Sequence, residues 1–320
     1  MNILVTGAAG FIGSSLSERL LADGHHVRGI DSFESYYPQA LKENNLKALA
    51  GNPAFEFAQA NLLDCDLPGM LDGIQIIYHL AATPGVRSSW GEAFGIYVEN
   101  NVRATERLLH ASQEIPLQRF VYASSSSVYG DVKTLPLQED ACPQPFSPYG
   151  VTKLAGEHLC NAYHRNFGVP VVSLRFFTVY GPRQRPDMAF CRFIRSAFRG
   201  DPVPLYGDGE QTRDFTFIGD IVEGLVRAGQ VREAVGQTLN IGGGSRVSVK
   251  QCLEIIEQAS GNVINLDRRP VSKGDVRDTL ADTNRIRSIL GFKPQVSIQD
   301  GLKAQVEWLR DNLSLYEQLL

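Results

Sequence analysis

Three glycines at three-residue spacing, Gly7-Ala-Ala-Gly10-Phe-Ile-Gly13, follow directly on the β-prone run Ile3 to Thr6. They open a helical stretch from Ser14 to Asp23 with Leu16, Leu20 and Leu21 turned inward. A strand that turns on glycine into a helix commits a chain to a βαβ unit. The pattern then repeats. His26 to Ile30 reads as a strand, Leu41 to Ala50 as a helix, and Phe55 to Ala58 and Gln75 to Leu80 as strands. Phe94 to Glu114 reads as one long helix, Arg119 to Ala123 as a strand, the segment from Tyr149 to about Phe167 as a helix, and Val169 to Arg175 as a strand. Right-handed crossovers between parallel strands place helices on both faces of the sheet.

The expected architecture is therefore α/β: a Rossmann-type doubly wound parallel sheet over residues 1–178, with a smaller α/β substrate-binding lobe mainly within 179–320. From Val179 onward Pro182, Pro186, Pro202, Pro204, Gly200, Gly207 and Gly209 are expected to break the chain into shorter elements. Leu239 to Gly244 reads as a strand and turn, so residues 212–245 are expected to rejoin the large sheet. The helix near Gly301 to Asn312 is expected to pack on the surface.

Composition removes several classes of function. The 320 residues suffice for a large core, and a net charge of −4 without a lysine- or arginine-rich block excludes a nucleic-acid footprint. No apolar run reaches membrane-spanning length. Five cysteines (Cys65, Cys142, Cys160, Cys191, Cys252) stand apart and never in CxxC spacing, which argues for reduced thiols in the cytoplasm and against metal ligation. The start lacks a basic leader and reads as a first strand, with no signal peptide expected.

Glycines let a backbone approach a pyrophosphate, and the helix that follows offers unpaired N–H groups and the positive end of its dipole. Asp31, ending the second strand, would accept from both hydroxyls of an adenosine ribose and repel a 2′-phosphate, which favours NAD over NADP. A glycine turn alone also serves packing. Tyr149 and Lys153, four residues apart in Ser147-Pro-Tyr-Gly-Val-Thr-Lys153, make the functional reading specific. One helical turn brings an ammonium beside a phenol. A phenol that titrates near ~10 is a poor base at neutral pH. A neighbouring cation favours the phenolate, and an oxidised nicotinamide would add a second positive charge. Such a tyrosinate takes a hydroxyl proton while hydride leaves the same carbon.

Over essentially its whole length the chain resembles the extended short-chain dehydrogenase/reductase superfamily. The resemblance rests on the glycine turn, His79-Leu-Ala-Ala82, Ser124-Ser-Ser-Ser-Val-Tyr-Gly130, Tyr149-Gly-Val-Thr-Lys153, Leu174-Arg-Phe-Phe-Thr-Val-Tyr-Gly181 and Arg213-Asp-Phe215. Pro84-Gly-Val-Arg-Ser88 and Gly181-Pro-Arg-Gln-Arg-Pro-Asp-Met-Ala189 bring it nearest to UDP-glucuronate 4-epimerases. The resemblance implies Tyr149 as base, Lys153 as its tuner and nicotinamide-ribose ligand, and Ser125 as proton relay, with Ser126 secondary. A plain strand end is the rival reading of that serine run. NAD would lie against Gly7, Gly10, Phe11, Ile12, Gly13, Asp31, Asn61, Leu62, Leu80, Ala81, Ala82 and Asn100. Asn61 stands where the family usually has aspartate, and Asn100 reads equally as a helix cap. A UDP-sugar would meet Pro84, Gly85, Arg87, Thr178 and Arg185, its diphosphate Arg213 and Arg277, and its uridine Asp275 and the segment Val203, Leu205 and Tyr206. The resemblance also implies a homodimer formed through Phe94 to Glu114 and Tyr149 to Phe167, although their apolar residues suit ordinary burial equally.

After oxidation at C4 a sugar can take hydride back on its other face, eliminate water or lose CO2. Related dehydratases and decarboxylases carry an acid in the serine-run segment, where this chain has Ser126 and Ser127, so elimination lacks an obvious proton-transfer agent. Epimerisation needs none and regenerates a tightly bound NAD at each turnover. Arg185 is suited to a C6 carboxylate and Thr178 to a further bond onto it, which points to UDP-glucuronate and UDP-galacturonate. A surface ion pair is the rival reading of Arg185. The alternatives are a UDP-glucose or UDP-N-acetylglucosamine 4-epimerase, a UDP-glucuronate decarboxylase, and a catalytically silent NAD-binding protein.

Overall fold

A computed structural model of the chain describes residues 1–132, 134–270 and 276–319. In chain order, β1 (Asn2–Thr6), α1 (Phe11–Ala22), β2 (His26–Asp31), α2 (Gln39–Leu46), β3 (Phe55–Gln59), α3 (Leu67–Leu71) and β4 (Ile76–His79) form the first half of a parallel sheet and its cover. Next, α4 (Phe94–Val98) runs through a π-helical turn at Glu99–Arg103 into α5 (Ala104–Ser112). β5 (Arg119–Ser125), α6 (Pro148–Phe167) and β6 (Val171–Phe176) follow. The remainder comprises β7 (Thr178–Tyr180), α7 (Ala189–Arg199), β8 (Val203–Tyr206), β9 (Thr212–Phe217), α8 (Ile218–Gln230) and β10 (Thr238–Ile241). After these come β11 (Arg246–Ser248), α9 (Val249–Ser260), β12 (Leu266–Arg269), α10 (Asn284–Leu290), α11 (Ile298–Asp311) and α12 (Leu313–Leu319).

Among the described residues the large sheet has seven strands in the order β10-β6-β5-β4-β1-β2-β3, every pair parallel. Its strands are apolar on both faces, as a doubly covered sheet requires. Ile3, Val5, Val27, Ile76 and Val121 pack with Leu16 of α1 and Ile221 and Leu225 of α8. Leu4, Ile30, Ile77 and Phe120 pack on the opposite face with Leu71, Leu108, Leu109 and Cys160. The chain turns in opposite directions after β1 and after β4, and a crevice opens at the carboxyl ends of these strands.

Local signals explain where the helices start and stop. Ser147 caps α6 by accepting from the Gly150 N–H, Pro148 fills its first turn, and Gly168 ends it at φ 72°. Ser248 and Gln251 form a capping box at α9.

The second half departs from expectation in two ways. α7, α8 and α9 run 11, 13 and 12 residues, close to the 12 of α1, and Gly200, Gly207 and Gly209 fall between elements and not within them. α11 is a core helix: Leu302, Val306 and Leu309 are buried against the lobe that also contains Phe190, Ile194, Val203 and Ile256. β9 pairs with β7 and β11, and the return to the large sheet begins at α8. β10 then takes the edge beside β6. Among the described residues no helix is long and apolar enough to cross a membrane, and all five cysteines are free.

Candidate active site

At the end of β1 the chain needs glycine. Gly7 adopts φ 71°, and a Cβ there would lie 2.9 Å from the Ala81 nitrogen. A Cβ on Gly13 would stand 2.1 Å from the Gly7 carbonyl oxygen. Gly10 caps α1 without a side-chain acceptor, so the first N–H groups of α1 face the crevice with no side-chain cap. The floor is fastened by Thr6, whose Oγ1 accepts from the N–H groups of Leu80 (3.2 Å) and Ala81 (3.1 Å). Thr6 also lies 2.8 Å from His79, whose other ring nitrogen is 2.9 Å from Thr105. Burial holds the His79 imidazole neutral, with its pKa down at about 3.

Asp31, at the end of β2, accepts from the N–H groups of Ala9 (3.2 Å) and Phe33 (2.8 Å), with the Lys42 ammonium 3.8 Å away. Asn61 Oδ1 accepts from the Leu63 N–H, and its amide donates to Glu34 at 3.4 Å. One cleft is lined by Gly7, Gly10, Phe11, Ile12, Gly13, Asp31, Asn61, Leu62, Leu80, Ala81, Ala82 and Asn100. Tyr149, Lys153, Pro84 and Arg185 line it too. A backbone cradle that Cβ atoms would fill, a helix start facing it and a carboxylate at the second strand's end fit a dinucleotide.

The π turn is the feature that the apolar periodicity of Phe94 to Glu114 does not reveal. It carries two adjacent asparagines with different duties. Asn100 donates to the Thr83 hydroxyl at 2.9 Å on the cleft wall. Buried Asn101 accepts from the Thr83 N–H (2.7 Å) and donates to the Thr83 carbonyl and the Thr152 hydroxyl, both at 3.0 Å. It thereby ties the cleft wall to α6.

Tyr149 and Lys153 stand one turn apart on α6 and both line the cleft, as their spacing predicts. Burial pushes the Tyr149 phenol up, and the opposing influences are first the Arg185 guanidinium and then the Ser125 hydroxyl. Lys153 is buried with its ammonium 4.9 Å from the centre of the Tyr122 ring, and burial brings its pKa down to about 8. One turn further along α6, buried Glu157 takes a two-point ion pair from Arg175 of β6 (2.9 and 2.8 Å) and a hydroxyl bond from Ser124. Lysine and glutamate four residues apart were the available sequence signal for Glu157; its Arg175 partner is 18 residues away.

The remaining predicted residues divide. Ser126 and Arg213 line a second cavity with Val86, Ser127 and Phe146. The Ser125 hydroxyl donates to Ser127 at 3.1 Å. Arg213 donates to the carbonyl of Arg277 at 2.6 Å, so these two are neighbours, while the Arg277 side chain is exposed and lies 3.5 Å from Asp208. Arg87 stacks over the Tyr206 ring at 4.3 Å. The side chains of Val203 and Leu205 are buried in the lobe's core, so β8 offers a ligand only backbone at those two positions. Pro204 and Tyr206 occupy its other face. Thr178 opens β7 opposite Phe215 and is not part of the cleft lining. Asp275 lies outside the described residues.

Arg185 reaches the cleft already paired. Its Nε and Nη2 both donate to the Asp187 carboxylate at 3.0 Å, and its guanidinium lies 5.6 Å from the centre of the Tyr36 ring. Gly85 completes this corner at φ 104°, where a Cβ would meet the Tyr36 hydroxyl at 2.2 Å. Neither Tyr36 nor Asp187 announces itself in the sequence, since 151 positions separate them.

Residues 3–242 match the NAD dependent epimerase/dehydratase family. A UDP-glucose epimerase of Bacillus subtilis (strain 168), YtcB, described as uncharacterised, is 48% identical over 318 residues, covering 99% of each chain. A UDP-glucuronate 4-epimerase of Thermodesulfobacterium geofontis is 36% identical, covering 99% of this chain and 98% of its own. Among solved structures, the UDP-glucuronic acid 4-epimerase of Bacillus cereus, in complex with UDP-glucuronic acid and NAD, superposes with a TM-score of 0.95 at 46% identity, covering 98% of this chain and 100% of that one.

Proposed function

The chain belongs to the NAD dependent epimerase/dehydratase family, and on that premise we propose that it interconverts UDP-glucuronate and UDP-galacturonate by inversion at C4. The observation that carries this reading is the position of Arg185, which lines the same cleft as Tyr149. A guanidinium there can hold a C6 carboxylate while the phenol works at C4.

NAD, when bound, would supply reversible hydride transfer at C4. It would be held by the glycine turn, Asp31, Asn61, Leu62, Leu80, Ala81, Ala82 and Asn100. The chain's own part is proton handling and grip. Tyr149 takes the C4 hydroxyl proton, Ser125 bonds the reacting oxygen, and Lys153 keeps positive charge under the site. Arg213 and Arg277 hold the diphosphate, with Tyr206 and the backbone of Val203 and Leu205 along the uracil. Arg185 anchors the carboxylate, with Pro84, Gly85 and Arg87 closing the sugar's other side. A 4-keto uronic acid is a β-keto acid, and it keeps its CO2 as long as the breaking C–C bond is held out of line with the carbonyl π system. No carboxylic acid stands at Ser126 or Ser127 to drive elimination.

Residues 1–178, with α8 and β10 returning to the large sheet, are assigned to the dinucleotide, and the rest of 179–320 to the nucleotide sugar. We place the protein in the cytoplasm, in keeping with five free cysteines. We pair it as a homodimer across α4 and α6, where Phe94, Ile96 and Val151 are exposed. A neutral sugar is the second reading, favoured by the Asp187 carboxylate that already compensates Arg185. Incubation with UDP-glucuronate and no added NAD, followed by product NMR, decides between them. UDP-galacturonate is expected; turnover of UDP-glucose alone would transfer the assignment to the neutral sugar.

A further inference from the structure

Arg185 presents two edges on which a carboxylate can be held. Asp187 occupies the side edge through Nε and Nη2, and among the described residues no hydrogen bond is made by Nη1. The end edge, Nη1 with the second proton of Nη2, is thus open to another acceptor in the cleft that Arg185 lines. The arginine side chain is 20% exposed and the aspartate 38%, so the pair sits at the mouth and is not sealed inside.

The aspartate is itself tethered. The Tyr36 hydroxyl reaches Asp187 Oδ2 at 3.4 Å and Ser88 Oγ at 3.2 Å. Ser88 is 2.8 Å from the Tyr97 hydroxyl, which donates to the Pro84 carbonyl at 2.7 Å. Tyr36, itself backed by Ser88 and Tyr97, thus reaches the carboxylate from a distant segment, and its ring lies against the guanidinium that the carboxylate holds. A long side chain fixed at its side edge and against one face keeps one orientation, whereas a free arginine samples many.

We infer that Asp187 is a positioning residue for the substrate: it locks Arg185 from the side so that the end edge meets the C6 carboxylate in one fixed orientation. This rests on the uronate reading above and adds to it the group that sets the arginine's aim. The substrate carboxylate then shares the guanidinium with Asp187 and does not displace it. Fixed aim at C6 is also what keeps the carboxylate's bond to C5 out of line with a C4 carbonyl.

The test uses the full-length, NAD-loaded protein with UDP-glucuronate, reading KM, kcat and the ratio of 4-epimer to pentose nucleotide by NMR. Asp187→Asn keeps shape and removes charge. It is expected to raise KM about tenfold, as loss of one charge-assisted hold implies. The pentose share is expected to rise, while calorimetric affinity for UDP stays within about twofold of wild type. Asp187→Glu, which restores charge, is expected to recover part of the KM. Tyr36→Phe removes only the hydroxyl tether and serves if the asparagine variant does not fold; about a twofold to threefold rise in KM is expected. Unchanged KM and product ratio in these variants would overturn the assignment, as would a lowered KM, which would make Asp187 a competitor of the substrate. If wild type leaves UDP-glucuronate untouched, the uronate reading falls and this inference with it. Wild-type turnover with indifferent variants removes Asp187 alone.

Discussion

Beneath the cleft, Glu157 is 3% exposed and is held by the Arg175 guanidinium and the Ser124 hydroxyl. Removing one member of a buried pair strands the other. Glu157→Gln is therefore expected to cost about 3–5 kcal/mol of stability, measured by urea unfolding of the cofactor-free protein. A loss below about 1 kcal/mol would show that Arg175 finds other acceptors. Tyr149→Phe belongs to the opposite kind of change. It is expected to lower kcat by about 10²–10⁴-fold while NAD still binds, because only a proton acceptor is lost. Residual turnover within tenfold of wild type would shift the base elsewhere. At this scale the sequence is readable where partners are close along the chain: Tyr149 and Lys153 share a turn, and Asp31 ends a strand. It is opaque where partners are far apart. Nothing in Arg185-Pro-Asp187 reveals that its aspartate claims the arginine's side edge, or that Tyr36 stands over both.

The elements that carry the site are held by contacts as short as the chain allows. Gly13→Ala would push a Cβ to 2.1 Å from the Gly7 carbonyl, which is backbone and cannot rotate aside. Opening the turn should weaken NAD affinity at least about tenfold by calorimetry, and unaltered affinity would mean that α1 shifts as a body. The π turn makes a second case. Asn101→Ala leaves the buried Thr83 N–H without its acceptor and is expected to cost about 1–3 kcal/mol in thermal unfolding. Strand and helix identities through residue 176 follow from glycine position and apolar period, except for the single-turn helix α3, which is too short to show a period. The π turn does not, because one additional residue in a helix leaves its buried face almost unchanged. In the second half, Gly200 ends α7 and Gly207 and Gly209 lie between β8 and β9, and reading them as breaks within elements made that half look more fragmented than it is.

For the molecule as a whole, stability should depend on acidity through His79. Its folded pKa is depressed to about 3 from 6.5, so its contribution is complete above pH 6.5 and is lost as pH falls toward 3. Asp214, raised by burial to about 6 from 3.8, runs the other way: its contribution is complete below 3.8 and is lost as pH rises through 6. Comparing wild type with His79→Gln isolates the first. The advantage of wild type should shrink by about 1.4 kcal/mol per pH unit below 6.5, and parallel stability curves would dismiss the imidazole as the cause.

The edge position of β10 bears on how the protein is made. A ribosome releases β1 to β6 well before α8 and β10, yet those late pieces cover one side of the sheet and complete its edge. During synthesis the early strands must wait with Val121, Val172 and Leu174 uncovered, a period in which chaperones or neighbouring chains compete for them. A gene cut after position 178 should accordingly yield insoluble product, although it encodes six of the seven strands.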